Sequence, residues 1–457
     1  MTAGAGSTAG VYRGAAAILW ALAIWHSLAY RGLFWDGSAF LVEIIDNNWF
    51  HWMFYPARAH VMWLTQLPVV VALKLGVTDT RTLAIAYSAG LFALPTALYH
   101  LALWRARSDA VALAAVLAAI AVVYLSTSFF IAGEYNTAFA IAVAVMTIVV
   151  TGRGLSRSDV VLLLFFGWLA FRSYEAMAYF GPLLAAAIGW RLRTTAPPGP
   201  IAPRYLIGYF AVLLFVGASA VSFVTIAQYW QHAYFMRVRV AAFDFWQNLQ
   251  FVLAAGPLVL FAVAAVLRPA WLRSAPLFGL LWLGAALLVV SPWLRFLNET
   301  TLLYPPAHHI ARTAAGALLW AMLAGLWLFT MWTRNPPRLF EIIRQPAVGR
   351  RLVAGLFVLI IGATIPDIAL TRLWTQYIDT FRGLTVGHPG VIDPRTVRLY
   401  EWPDKLFRQD WTYAPLSLLL RSNPSDGLVL PRQDYTEPRP FDPACGLPDL
   451  KGYSWRS

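Results

Sequence analysis

Apolar runs long enough to cross a bilayer, which takes about 20 helical residues, recur along this chain and alternate with short arginine-bearing connections. They predict spans near 15–30, 82–104, 110–130, 137–151, 159–171, 175–190, 205–227, 250–267, 275–292, 310–332 and 352–371. The pair at 159–171 and 175–190 is short, which puts a helix break around Arg172–Glu175. The stretch 61–75, which carries Pro68, reads either as a span or as a hairpin on the membrane surface. Between the first span and that stretch lies Leu33–Arg58, amphipathic at first and aromatic at its end. Numbered as a helix, it sets Asp36, Glu43 and Asp46 near one face and Phe40, Leu41, Ile44 and Ile45 on the other. Such a segment lies flat on a bilayer with its carboxylates toward water or a cleft. Asp36 itself reads either as a helix N-cap or as a catalytic acid.

Composition agrees with the pattern. Of 457 residues 59% are hydrophobic and 12% charged, where soluble proteins average about 25% charged. The chain is therefore expected to be an all-α polytopic membrane protein. The 21 tryptophans and 19 tyrosines suit interfacial belts. The net charge of +13 comes mostly from the short connections and does not argue for nucleic acid. A single cysteine, Cys445, excludes an intrachain disulfide, and no spaced Cys/His cluster or glycine-rich loop points to structural zinc or an ATPase.

Charge also sets orientation. With 61–75 left uncrossed and the N-terminus cytoplasmic, fourteen arginines, from Arg105 to Arg351, fall in five connections on the cytoplasmic side. This gives 11 crossings and sends Asp36, Glu134, Arg172, Glu175, His308, His309 and Arg312 to the opposite face. Each has an ordinary reading alone. Glu134 is a loop residue before a helix or an active carboxylate, and Arg172 and Glu175 are spaced to neutralise one another. Together on one side they suggest a site, because ionisable groups near membrane depth are costly. The segment 229–246, with Arg237 and Arg239 among aromatics, and the segment 298–314, with Tyr304 and Arg312, offer arginine forks for a phosphate. About 85 residues follow the last span, rich in Pro, Asp and aromatics, with a strand expected at LVLP and a short helix at 414–421.

Assembled in this way, the chain resembles the GT-C superfamily of polyprenyl-phosphate-sugar-dependent glycosyltransferases in its bacterial inner-membrane form. The residues that carry the resemblance are Asp36 in FWDGSAF, the surface segments 38–50 and 61–75, Glu134 in IAGEYN, the run WLTQLPVVVALKLGVTDTRTLAIAYSAGLFAL, and FRSYEAMAYFGPLL after the fifth span. It covers about the first 190 residues and extends to later spans by topology only. Two departures stand out: Glu134 replaces a more usual aspartate, and a glycine follows Asp36 where some branches pair acids.

The resemblance implies a transmembrane domain over 1–371, with an external loop at 31–81 bearing juxtamembrane helices, and a small periplasmic cap over 372–457. It implies sugar transfer from a polyprenyl-phosphate donor to an envelope glycan or lipid acceptor at the periplasmic face. Asp36 would be the general base, Arg172 would hold the leaving phosphate with Arg237, Arg239 and Arg312 as further candidates, and Glu134 would orient the acceptor. A divalent metal, if used, would be ligated by Glu134, with Glu43 or Asp46 as a second carboxylate. Glu175, Tyr304, His308 and His309 would support the site. The rival readings are an O-antigen polymerase or ligase acting on lipid-diphosphate glycans, a secondary transporter, and a non-catalytic membrane partner.

Overall fold

The computed structural model describes all residues except 1–4, 52–54, 130–132, 153, 196–202, 295–304, 395, 396, 398, 400, 402, 431–447, 449, 451 and 457. Helices dominate it. Among the described residues nine helices are long and apolar enough to cross a membrane. In chain order the helices are α1 (Ala5–Leu28), α2 (Asp36–Asn47), α3 (Ala59–Lys74), α4 (Thr80–Ala106), α5 (Ala110–Ala118), α6 (Glu134–Thr151), α7 (Arg157–Phe171), α8 (Met177–Thr195), α9 (Pro203–Gln228), α10 (Ala233–Ala241), α11 (Leu249–Leu267), α12 (Ala275–Val290), α13 (Pro305–Met331), α14 (Arg338–Ile343), α15 (Pro346–Thr385) and α16 (Tyr413–Leu420). Each expected span falls on one of them. Two of them, the 15-residue α7 and the 19-residue α8, are not among the nine, and α5 counts only with the turns that continue it to Thr127.

The buried centre of the bundle is α6, where every residue from Glu134 to Val150 is buried. Alternating alanines at 138, 140, 142 and 144 let neighbouring helices approach it closely. α4, α8 and α13 pack around it. The 16 residues of α3, about 24 Å of helix, pack along α4. That length falls short of the about 30 Å hydrocarbon core.

Two expectations change. α2 does not merely lie on a membrane surface: Phe40, Leu41, Val42, Ile44 and Ile45 are all buried, and α16 packs against it. The last apolar helix does not stop near 371 either. α15 runs 40 residues through the expected domain boundary. Beyond the apolar part Trp374, Tyr377, Ile378 and Phe381, spaced three, one and three apart, form a helical stripe. Phe407 and Tyr413 pack on that stripe, with Phe407 5.4 Å from both Trp374 and Tyr377.

The C-terminal segments thus sit on α2 and the distal part of α15. A two-residue parallel strand pair, Val391–Ile392 with Leu428–Val429, and α16 match the short strand and helix expected there. The end of the chain is tied back to the α3–α4 turn. Ser454 N donates to Thr78 O at 3.2 Å, Thr80 N donates to Ser454 O at 3.0 Å, and the Trp455 ring meets Tyr30 at 4.9 Å.

Candidate active site

Asp36 is the first residue of α2, so it does not cap that helix. The N-cap is Trp35, held at φ 52° and ψ −127°, and it makes no side-chain cap bond. Gly37 next to it is a steric requirement, because a Cβ there would stand 1.7 Å from the Gly32 carbonyl oxygen. That contact leaves no room for a second acid directly after Asp36.

Glu134 reaches the same region from the third span. After α5 the chain runs through a π turn at Ala119–Tyr124 and a 3-10 turn at Leu125–Thr127. Unwinding strands carbonyl groups inside the protein, and each needs a donor. Side chains supply them. Gln250 Nε2 donates to Leu125 O at 3.1 Å, Asn248 Nδ2 to Ser126 O at 2.7 Å, Tyr135 Oη to Thr127 O at 2.8 Å, and Asn136 Nδ2 also to Thr127 O at 3.1 Å. Fixed in this way, the turn leads to Gly133 in the left-handed region, φ 78°, and Glu134 opens α6 as its first residue. The Tyr87 ring of α4 stands 3.5 Å from where a Cβ on Gly37 would be, next to Asp36, and Asp36 and Glu134 both act electrostatically on its phenol.

The positive charge beside them belongs to Arg58, at the end of the aromatic run that follows α2. Its guanidinium forms a two-pronged pair with Glu175, Nε to Oε1 at 2.9 Å and Nη2 to Oε2 at 3.1 Å. Its Nη1 stands 3.9 Å from Glu134 Oε1. Tyr55 and Tyr174 flank it at 4.8 and 5.2 Å. Glu175 therefore pairs with Arg58 and not with Arg172. Arg172 is a bracket: its Nε donates to Pro56 O, and its own carbonyl accepts His60 N at 2.9 Å, fixing the 3-10 turn Pro56–Arg58. His60 also bonds the Trp168 carbonyl at 2.7 Å. Burial pushes His60 below its ordinary pKa against that hydrogen bond, and the Arg172 charge adds to the fall, so it is neutral at pH 7.

From α13, Arg312 contacts His309 and acts electrostatically on Glu134, while the His309 ring lies 6.0 Å from Trp35 and 6.4 Å from Tyr135. Its neighbour His308 belongs elsewhere, with Nδ1 accepting Phe129 N at 3.2 Å. Three further candidates lie apart from the cluster. Glu43 pairs with His51, Asp46 is exposed, and Arg239 is exposed over the Trp230 ring at 4.2 Å. The Arg237 side chain and Tyr304 lie outside the described residues.

A second buried charge cluster, absent from the sequence reading, stands beside the first. Asp367 of α15 accepts from Arg31 Nη1 at 2.9 Å and bonds His26 Nε2 at 2.6 Å, and the Ser128 hydroxyl donates to it as well. Arg31 also donates to Thr371 Oγ1 at 3.0 Å and stacks on Phe129 at 4.4 Å. Burial pushes Arg31 below its ordinary pKa, and the Asp367 carboxylate opposes the fall. An ionisable residue in an apolar span is itself a signal, and His26 and Asp367 each carry it.

Among the described residues the donor set at the cluster does not fit a divalent metal. No group of three or more His, Cys, Asp or Glu among the described residues is disposed to hold one. Glu134 already faces the Arg58 guanidinium at 3.9 Å and feels the charge of Arg312. Compared with known protein families, curated proteins and solved structures, the chain matches none. Chemically, the cluster offers a half-buried carboxylate at Asp36, a buried one at Glu134, and two cations within reach of the latter.

Proposed function

We propose that the chain is a multi-pass glycosyltransferase of the bacterial inner membrane, which transfers a sugar from a polyprenyl-phosphate donor to an envelope glycan or lipid acceptor at the periplasmic face. The observation that supports this reading is the buried Glu134 with the Arg58 guanidinium 3.9 Å away, in the region where the half-buried Asp36 opens α2 and both acids act on Tyr87, with Arg312 acting on Glu134 as well. Asp36 takes the proton of the acceptor hydroxyl and directs an inverting displacement at the anomeric carbon. Arg312 and Arg58 balance the negative charge that grows on the departing phosphate. Arg172 keeps a supporting part, holding the turn from which Arg58 projects. Eleven crossings with an outward C-terminal cap complete the arrangement.

Because Asp36 is not the N-cap of α2, both Asp36→Asn and Asp36→Ala are expected to fold. Both are expected to lose roughly 10²–10⁴-fold in transfer rate. The assay uses protein in nanodiscs, a polyprenyl-phosphate sugar and an envelope acceptor, with thermal unfolding as the control. Near-normal transfer by Asp36→Asn refutes the general-base role. Orientation is checked separately in a Cys445→Ser background. A cysteine at the exposed Ser425 should react with an impermeant thiol reagent in spheroplasts, and one at the exposed Gly154 should not.

A further inference from the structure

Where the end of α4 meets the start of α7, at the far end of the bundle from the candidate active site, a cluster of charge carries donors with no partner among the described residues. From Tyr87 to Arg105 α4 rises 18 residues, about 27 Å, close to the thickness of the hydrocarbon core. Arg105 pairs through Nη2 with Asp159, whose side chain is 4% exposed. The other oxygen of Asp159 accepts Ser156 N at 2.9 Å in a capping box. Both oxygens of Asp159 are therefore engaged. A second guanidinium, Arg191 near the end of α8, lies against the turn that leads into α7, its Nη2 3.7 Å from where a Cβ on Gly152 would stand; it feels Asp159 electrostatically but forms no ion pair with it. Three buried donors make no hydrogen bond: Arg105 Nε, Arg191 Nε and Arg191 Nη2.

Two guanidiniums against one carboxylate leave a net positive charge and a fan of unsatisfied N–H groups. Leaving such groups unpaired costs about 1–3 kcal/mol each, and guanidinium N–H groups are strong donors to the oxygens of a phosphodiester. The source of that anion follows from depth. Trp104 is 42% exposed beside the cluster, under Arg107 at 4.5 Å and Arg105 at 5.8 Å. Such a tryptophan sits at the headgroup level. We infer that Arg105 and Arg191 form a binding site for the phosphodiester of an anionic phospholipid, at the membrane face opposite the candidate active site. This site is independent of the proposed transferase activity.

Native mass spectrometry of the full chain in mild detergent, titrated with phosphatidylglycerol, phosphatidylcholine or inorganic phosphate, tests it. Wild-type protein should retain one phosphatidylglycerol at least about tenfold more tightly than phosphatidylcholine, a difference of about 1.4 kcal/mol. Arg191→Gln should lose that preference. Arg191→Lys, which keeps charge but not the planar fork, should keep part of it, and serves if Arg191→Gln fails a thermal-unfolding control. Arg338→Gln, which removes an exposed charge elsewhere, should behave as wild type. Unchanged retention by both Arg191 variants overturns the site. So does equal loss in Arg338→Gln, which would mean diffuse attraction. Inorganic phosphate stabilising the delipidated protein as strongly as phosphatidylglycerol overturns the lipid assignment.

Discussion

Two buried charge clusters lie beside each other in this protein and are built on opposite principles. Around Asp367 the carboxylate is taken up by Arg31, His26 and Ser128, and Arg31 also bonds Thr371. Around Arg58 the pairing with Glu175 is equally tight, but Glu134 Oε1 is buried and accepts no hydrogen bond. A carboxylate with both oxygens engaged fixes helices relative to one another, even though His26 Nδ1 beside it has no hydrogen-bond partner among the described residues. An unsaturated one stores an unmet demand that a substrate can satisfy. The first cluster joins the end of α1, the unwound end of the third span and α15. The second joins the segments that bring Asp36, Glu134 and Arg312 together.

The contrast can be broken most forcefully at Asp367. Asp367→Ala leaves Arg31 buried without its carboxylate and should cost about 3–5 kcal/mol, seen as a large fall in thermal midpoint or loss of folded protein. Survival at wild-type stability would remove its structural role. Glu175→Gln and Glu134→Gln then separate holding from chemistry. Loss of the bidentate partner of Arg58 should destabilise by about 1–3 kcal/mol. Glu134→Gln should stay within about 1 kcal/mol of wild type yet abolish transfer. Equal destabilisation by the two would erase the distinction between clusters.

The smallest effect is expected in the C-terminal region. Burial pushes the Asp404 carboxyl up to about 6. An acid whose folded pKa lies above its unfolded value binds more protons when folded, so stability should fall as pH rises from about 4 to about 6 and then level off. The change should be on the order of 1 kcal/mol, and Asp404→Asn should remove that slope in a pH series of unfolding curves.

The helical architecture was legible because each span writes its own apolar run. Asp36 and Glu134 stood out as acids beside such runs. Arg58 did not, since its partner Glu175 lies 117 residues away and nothing local announces the pairing. The pairing of Arg172 with Glu175 followed from their separation of three, but where the helix breaks after Phe171, as expected, Arg172 turns to Pro56 and Glu175 to Arg58. The length of α15 was missed for a different reason. Its hydropathy drops after Leu370, although the stripe of Trp374, Tyr377, Ile378 and Phe381 continues the helical period. His26 and Asp367 were present in predicted spans, but their union across 341 residues is a product of packing alone.

The uninterrupted course of α15 limits how the protein can admit its ligands. Forty residues amount to about 60 Å of helix, and its outer half carries the covering segments through aromatic contacts. The point at which such a rod would most readily bend is Pro366, where an amide is missing. The next residue is Asp367, clamped by Arg31 and His26. The joint is thus locked where it would otherwise yield, and the covering segments cannot swing away on it like a hatch. A lipid-borne ligand would have to slip in sideways, from the plane of the bilayer, past a roof that stays in place.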